Sequence, residues 1–372
     1  MIRFTVYLLT LSTSLQALPI FIGTNTGGSS GSRGIYQADF DLLTGNLTKP
    51  ELAAEYRNPG FLALHPAKPV LLAIGEPAKP FLDGSGSVAA FSISKDHRLT
   101  FLGEASSGGK GTCHLAVSPD GCTVAVANYG DGRIATVRLD GNGLPVKTVS
   151  VISNTGSGPN LSRQNGPHAH GVYFNKAATQ LFVPDLGLDR VLIYQFDAAN
   201  SMLGGALPSL TMNSGAGPRH MAFSADERCA YVINELDNTL SMASYDNGSF
   251  KNTASVSTLP EGFTGANTTA EVEVSPDGRF VYASNRGNDS IAVFRRDEKS
   301  GALTFVQRAL CGGKTPRHFK ISPCGRWLLC AHMDSNTISV LPRNPVSGEL
   351  SAPTTTVSVP SPICILFCGA WL

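Results

Sequence analysis

Seven polar side chains, His168, His170, Arg219, Glu235, Arg286, Arg317 and Glu76, fall at two recurrent points of a repeated local pattern in this chain. A carboxylate or an imidazole among them can take a proton from water. A guanidinium can face a developing oxyanion or hold a carboxylate or phosphate through paired N–H donors. Arg219 and Arg317 each follow a proline, and His168 follows Pro167 in the same place. One or two extra residues in that segment let either His168 or His170 occupy the equivalent point. Glu235 and Arg286 stand where other copies carry Tyr129, Leu186 or Met333, and packing has no need of a charge there.

The pattern that positions them is clearest from Thr269 to Gly287. Two runs of alternating residues, Glu271 to Ser275 and Arg279 to Ser284, flank Pro276-Asp277-Gly278, which predicts a β-hairpin with a tight turn. Aligning the turn-entry residues His65, Ser118, Asn175, Ser224, Ser275 and Ser322 gives intervals of 53, 57, 49, 51 and 47 residues. A strand-rich period near fifty is the mark of propeller blades. A third strand (SVAAFSIS, RIATVRLD, VLIYQFD, TLSMASYD, SIAVFRRD, TISVLPRN) and a weaker fourth follow each hairpin. The chain ends supply a seventh blade, with Ser361 to Phe367 as its first strand and Ile20 to Thr24 and Gly34 to Asp41 as its second and third.

An all-β, seven-bladed propeller is therefore expected, four antiparallel strands per blade, closed by pairing the termini so that no sheet edge is left free at the join. Residues 20–372 form one domain in this reading. Gly 39 and Pro 23 suffice to punctuate many turns, and no segment sustains an apolar period of 3.6 residues. The first strand of each blade would line the central channel, so the seven side chains named above are expected to converge on one mouth of the ring. Glu235 and Arg286 are read as facing water there, so that replacing either leaves stability unchanged.

Net charge is +1 with 15% charged residues, which provides no global field for nucleic acid or an anionic membrane. Residues 1–19 carry an early arginine, an apolar stretch from Val6 to Leu11 and Ala17 near the end. They read as a secretory leader, too short and polar to span a bilayer, with the mature chain beginning near residues 18 to 20 in a periplasmic or secreted protein. Eight cysteines show no Cys/His metal spacing and read as small buried apolar residues. Cross-strand bonds between Cys113 and Cys122, or Cys324 and Cys330, are conceivable. His114, His220 and His318 recur at one repeat position and read as structural, bonding backbone or a neighbouring blade. Asp185 and Asp189 read as fixing a loop.

Taken together, NPGFLALHP, NYGDGRI, PHAHGV with VPDLGLDRV, GPRHMAFS with YVINEL, AEVEVSPDGRFVYASNRG, TPRHFKISPCGRWL and VPSPICI resemble the seven-bladed lactonase family from Phe21 to Phe367. That family includes propeller-type 6-phosphogluconolactonases and the fungal carboxy-cis,cis-muconate cyclases. The resemblance implies a site of one histidine, two arginines and a glutamate, which falls on His168 or His170, Arg219, Arg286 and Glu235.

A lactone or sugar-acid substrate follows, opened by water with Glu235 or His168 as general base and Arg286 or Arg219 at the oxyanion. The remaining arginine, with Arg317, would grip a carboxylate or phosphate, and neither metal nor cofactor is needed. A cyclase-type isomerase and a non-catalytic envelope platform are the other readings, and a leader is out of keeping with a cytosolic phosphorylated substrate.

Overall fold

The computed structural model describes residues 17–246 and 248–369. Every regular element among them is a strand, and the strands form seven four-stranded antiparallel sheets. The sheet containing both chain ends runs Pro362–Phe367, Ala17–Thr24, Gly34–Asp41 and Glu51–Glu55 in spatial order. Its closing register sets Ile20 opposite Phe367, Phe21 opposite Leu366 and Ile22 opposite Ile365. Counted from residue 62, the blades are 1 (62–106), 2 (112–152), 3 (173–211), 4 (218–257), 5 (268–310), 6 (316–358) and 7, formed by the two ends.

The hairpin turns follow from their residues. In blade 5 Ser275 Oγ donates to Asp277 Oδ1 at 2.6 Å and accepts from Phe280 N at 3.0 Å, while Gly278 takes the left-handed φ of 71° that closes the turn. Blades 2 and 4 repeat the serine–aspartate bond at Ser118–Asp120 and Ser224–Asp226. In blades 3 and 4 the left-handed residue is Ala178 or Glu227, at some conformational cost relative to glycine.

Second strands are the most buried, fully so in Thr123–Asn128 and Cys229–Asn234, because each is covered on both faces. Seven apolar clusters occupy the spaces between neighbouring blades. The cluster at the closure joins Ile20, Ile22, Phe40 and Ile365 to Leu329, Ile338 and Val340 of blade 6.

The strand of the closing blade begins at Ala17, earlier than the Ile20 start expected from sequence: Leu18 pairs with Phe40 and is buried, and Pro19 O accepts from Cys368 N at 2.8 Å. The expected leader otherwise lies in residues 1–16, outside the described residues. Among the described residues no helix is long and apolar enough to cross a membrane.

Ile22 is fully buried at the join. Ile22→Ala should lower the unfolding free energy by about 2–5 kcal/mol in urea melts. A loss under about 1 kcal/mol would mean that this pairing does not hold the ring shut.

Candidate active site

Inner strands deliver the site through a recurring irregularity. The pairing of first and second strands slips between Thr112 and His114, Pro218 and His220, and Pro316 and His318. The residue at each slip, Cys113, Arg219 or Arg317, is thereby turned out of the ladder toward the channel, as a β-bulge re-aims a side chain. The histidine after each bulge reaches across to the next blade or into its strand. His114 Nδ1 accepts from Val172 N and His318 Nδ1 from Ile365 N, both at 3.3 Å, and His220 Nδ1 lies 3.0 Å from Glu271 Oε2. These three histidines are thus built into the scaffold, although His220 and His318 also reach the cavity.

A cavity of about 780 Å³ opens at this mouth and is lined by His170, Arg219, Glu235, Arg286 and Arg317, with Glu76 on the blade 1 wall. Its volume is in the range of small-molecule sites. Six of the seven residues picked out from the sequence therefore line this mouth. Glu76 is turned to a different task, because it pairs with Arg57 at 2.7 Å and accepts from Asn58 Nδ2 at 2.7 Å.

His168 does not line the cavity. Its ring stacks on Tyr129 at 4.6 Å, Nδ1 lies 2.8 Å from Tyr129 O, and Nε2 lies 3.3 Å from Asn165 Oδ1. Both nitrogens are therefore engaged in the loop, away from the cavity. His170 takes the position instead: it is buried, and its Nδ1 has no hydrogen-bond partner.

Glu235 is also not what its sequence position suggests. It follows the strand Cys229–Asn234, is anchored by its N–H to Gly217 O at 2.7 Å, and is only 4% exposed. Its Oε1 accepts from Arg163 at 2.5 Å, and Oε2 pairs with Arg219 at 3.1 Å and Arg286 at 3.0 Å. Burial alone would raise its pKa, but the charges of Arg286 and Arg219 and the bond from Arg163 outweigh it and hold the carboxyl at about 2. Such a carboxylate is a feeble base, and it does not face open water as expected. It holds three like charges together.

Arg163 gave no repeat-based signal. It comes from the segment 153–172 between blades 2 and 3, pinned by Gln164 through bonds to Leu186 O at 2.8 Å and Asp189 Oδ1 at 2.7 Å. Asp185 Oδ1 accepts from His168 N of this loop and from Gly187 N, while Asp189 Oδ1 accepts from Gln164 Nε2 and from Gly217 N of the next connection. The unusual length of this connection was the available clue, since long ordered loops tend to carry function.

The histidines of the lining are neutral, and the buried carboxylate of Glu271 lies 3.0 Å from His220 Nδ1 and 3.6 Å from His318 Nε2. Burial, with Arg219 next, pushes the pKa of His170 and His220 well below the ordinary histidine value, and burial takes His318 to about 3. Their rings meet Phe61 and each other at 5.1–5.9 Å together with His114. Burial raises the Cys113 thiol to about 12, so it is not a nucleophile. All eight cysteines are free, and neither conceivable cross-strand disulfide forms.

Arg317 alone of the four lining arginines has no hydrogen bond or ion pair among the described residues. Burial and the neighbouring Arg219 and Arg286 lower its pKa to about 9, so it stays charged at neutral pH. Arg286 Nε and His170 Nδ1 are buried without a hydrogen-bond partner, whereas Arg219 Nε is ion-paired with Glu235 Oε2 at 3.1 Å. Unmet buried polar atoms cost about 1–3 kcal/mol each, and their convergence on one cavity marks it as made for a polar ligand.

Glu235→Gln should destabilise the protein by about 3–5 kcal/mol at pH 7, since three guanidiniums lose their shared counter-charge. The wild-type carboxyl sits at about 2, below its ordinary 4.5. Its contribution is therefore complete above pH 4.5 and is lost as pH falls toward 2. Urea melts across that window should show a flatter acid limb in the variant. Equal stability in both proteins at pH 7 would refute the clamp.

Residues 19–367 match the family described as lactonase, 7-bladed beta-propeller. A 6-phosphogluconolactonase of Bacillus subtilis is 35% identical over 350 residues, covering 93% of this chain and 97% of that one. A 6-phosphogluconolactonase of Formosa agariphila is 31% identical over 292 residues, covering 77% and 81%. The solved structure of a periplasmic gluconolactonase of Pseudomonas aeruginosa superposes with a TM-score of 0.88 at 30% identity, covering 95% of this chain and 99% of that one. With its seven closed blades and its arginine-lined mouth, this chain belongs to the seven-bladed lactonase family.

Proposed function

We propose that the protein hydrolyses an aldonolactone bearing an anionic group, with a 6-phosphogluconolactone-like ring as the best match. The observation that carries this reading is Arg317, a charged and unpaired guanidinium lining the cavity beside Arg219 and Arg286. Similarity to two proteins named 6-phosphogluconolactonase supports it.

In this scheme Arg317 holds the phosphate or carboxylate of the substrate. His170 Nδ1 takes a proton from water, whose oxygen bonds to the lactone carbonyl carbon. Arg286, 13% exposed where Arg219 is 3%, faces the resulting oxyanion. The ring C–O bond then breaks, and the departing alkoxide recovers the proton from His170, leaving the open acid. Glu235 fixes the arginines and takes no proton. Burial is the main cause of His170's lowered pKa, and an anion bound against Arg317 offsets only the smaller contribution of the neighbouring arginines.

The test is acid release from a panel of phosphorylated and plain aldonolactones. His170→Gln should lower kcat by about 100-fold or more, within the range of general-base catalysis. Arg317→Ala should chiefly raise KM, and only for anionic lactones. Because His170 titrates well below the usual histidine range in the free protein, kcat/KM should stay level from pH 8 to below 6.5. Full activity in both variants would leave the platform reading ahead, and a cyclic isomer as product would identify a cyclase.

The leader-like residues 1–19 and the likeness to a periplasmic gluconolactonase support an exported protein, processed so that Leu18 is retained in the closing strand. N-terminal sequencing of native protein should begin at Leu18. A sequence starting at Met1 would return the enzyme to the cytosol.

A further inference from the structure

Blade 6 departs from the repeat at three points, and the three departures meet. At one position of the second strand blades 2, 4 and 5 carry Asn128, Asn234 and Asn285, whereas blade 6 carries His332. Two residues earlier they carry Val126, Val232 and Ala283, whereas blade 6 carries Cys330. The segment entering a blade supplies the asparagine's partner, Ser107 O to Asn128 Nδ2 at 3.0 Å in blade 2 and Thr258 Oγ1 to Asn285 Oδ1 at 2.7 Å in blade 5. In blade 6 that segment supplies Cys311.

The two sulfurs and one ring nitrogen of His332 lie within 4.8 Å of one another, and all three residues are fully buried. Cys311 Sγ is 3.9 Å from His332 Nδ1. Metal bonds of about 2.0–2.3 Å place two donor atoms about 3.5–4.0 Å apart around a shared ion. The hydrogen bonds also orient the imidazole. Ser339 Oγ donates its only proton to Cys311 O at 2.6 Å, so it must accept from His332 Nε2–H at 2.8 Å, and the Nδ1 lone pair is left facing the sulfurs. Ring orientation by a partner on the far nitrogen is typical of metal-bound histidine. None of the three residues lines the large cavity.

We infer that Cys311, Cys330 and His332 bind a thiophilic dication of the zinc class, tying the exit of blade 5 to the second strand of blade 6. Binding releases one proton from each thiol, and the two thiolates neutralise the ion, which suits a site with no access to water. The carbonyl oxygen of Asp289, 3.0 Å from Cys311 Sγ, is the nearest oxygen donor for a fourth position.

A buried site of this kind loads during folding, so the test uses chain produced with zinc, and separately with cobalt in minimal medium. Purified wild-type protein should hold about one zinc per chain by mass spectrometry, and the cobalt form should show sulfur-to-metal charge-transfer absorption. Cys330→Val and His332→Asn place there the residues that blades 2 and 4 use, so both should fold, keep lactone hydrolysis and lose the ion. Ser339→Ala removes the bond that orients the imidazole together with the one to Cys311 O, and should weaken affinity by about 10–100-fold while keeping the absorption. Zinc-free wild-type protein, equal metal content in the variants, or native mass showing a Cys311–Cys330 disulfide would each overturn the assignment.

Discussion

The pairing of Pro362–Phe367 with Ala17–Thr24 is the constraint on which the rest of this molecule depends. Each blade buries its faces only against its two neighbours, so a ring open at one point exposes two apolar faces and two unpaired edges at once. Closing the circle with strands from opposite ends of the chain makes this pairing the most distant in sequence. The join therefore adds stability late, after the loop-closure entropy of almost the whole chain has been overcome. Packing at the join matches that burden, with Ile20, Ile22 and Phe40 fully buried against blade 6.

Once the ring is shut, its axis gathers whatever the first strands turn inward. The bulges at Cys113, Arg219 and Arg317 convert a ladder position into a channel position without disturbing the hairpin behind it. Crowding guanidiniums there is costly, and the structure offsets the cost at one carboxylate. Glu235 touches three of the four, and its depressed pKa measures how strongly they favour its charge. The fourth, Arg317, keeps its charge without a partner. Two demands are thereby separated: Glu235 holds three of the guanidiniums together, while Arg317 lines the cavity without a partner among the described residues.

Departures from the repeat carry most of the functional information in such a fold, because seven copies of one unit define what packing alone requires. Arg286 in place of Tyr129 or Leu186 marks the mouth, and His332 in place of asparagine marks the cluster in blade 6. Departure does not by itself announce a role, as Glu76 shows: it stands at the same repeat position as Glu235 yet spends its charge on Arg57 at the rim.

Period, turn residues and strand alternation were local properties, and they determined the blade count, the four-strand blade and the pairing of the chain ends. They also placed Arg219, Glu235, Arg286 and Arg317 at one mouth, because register is counted along the chain and transmitted rigidly by ladder hydrogen bonds. What the sequence alone left undecided depended on contacts between segments far apart. His168 and His170 alternate along one short segment, and only the packing of Tyr129 against the first assigned the cavity to the second. Arg163 reaches Glu235 across 72 positions from a loop with no repeat to align it. The burial of Glu235 among three guanidiniums, which sets its charge, is an electrostatic environment that exists only once the blades have closed around it.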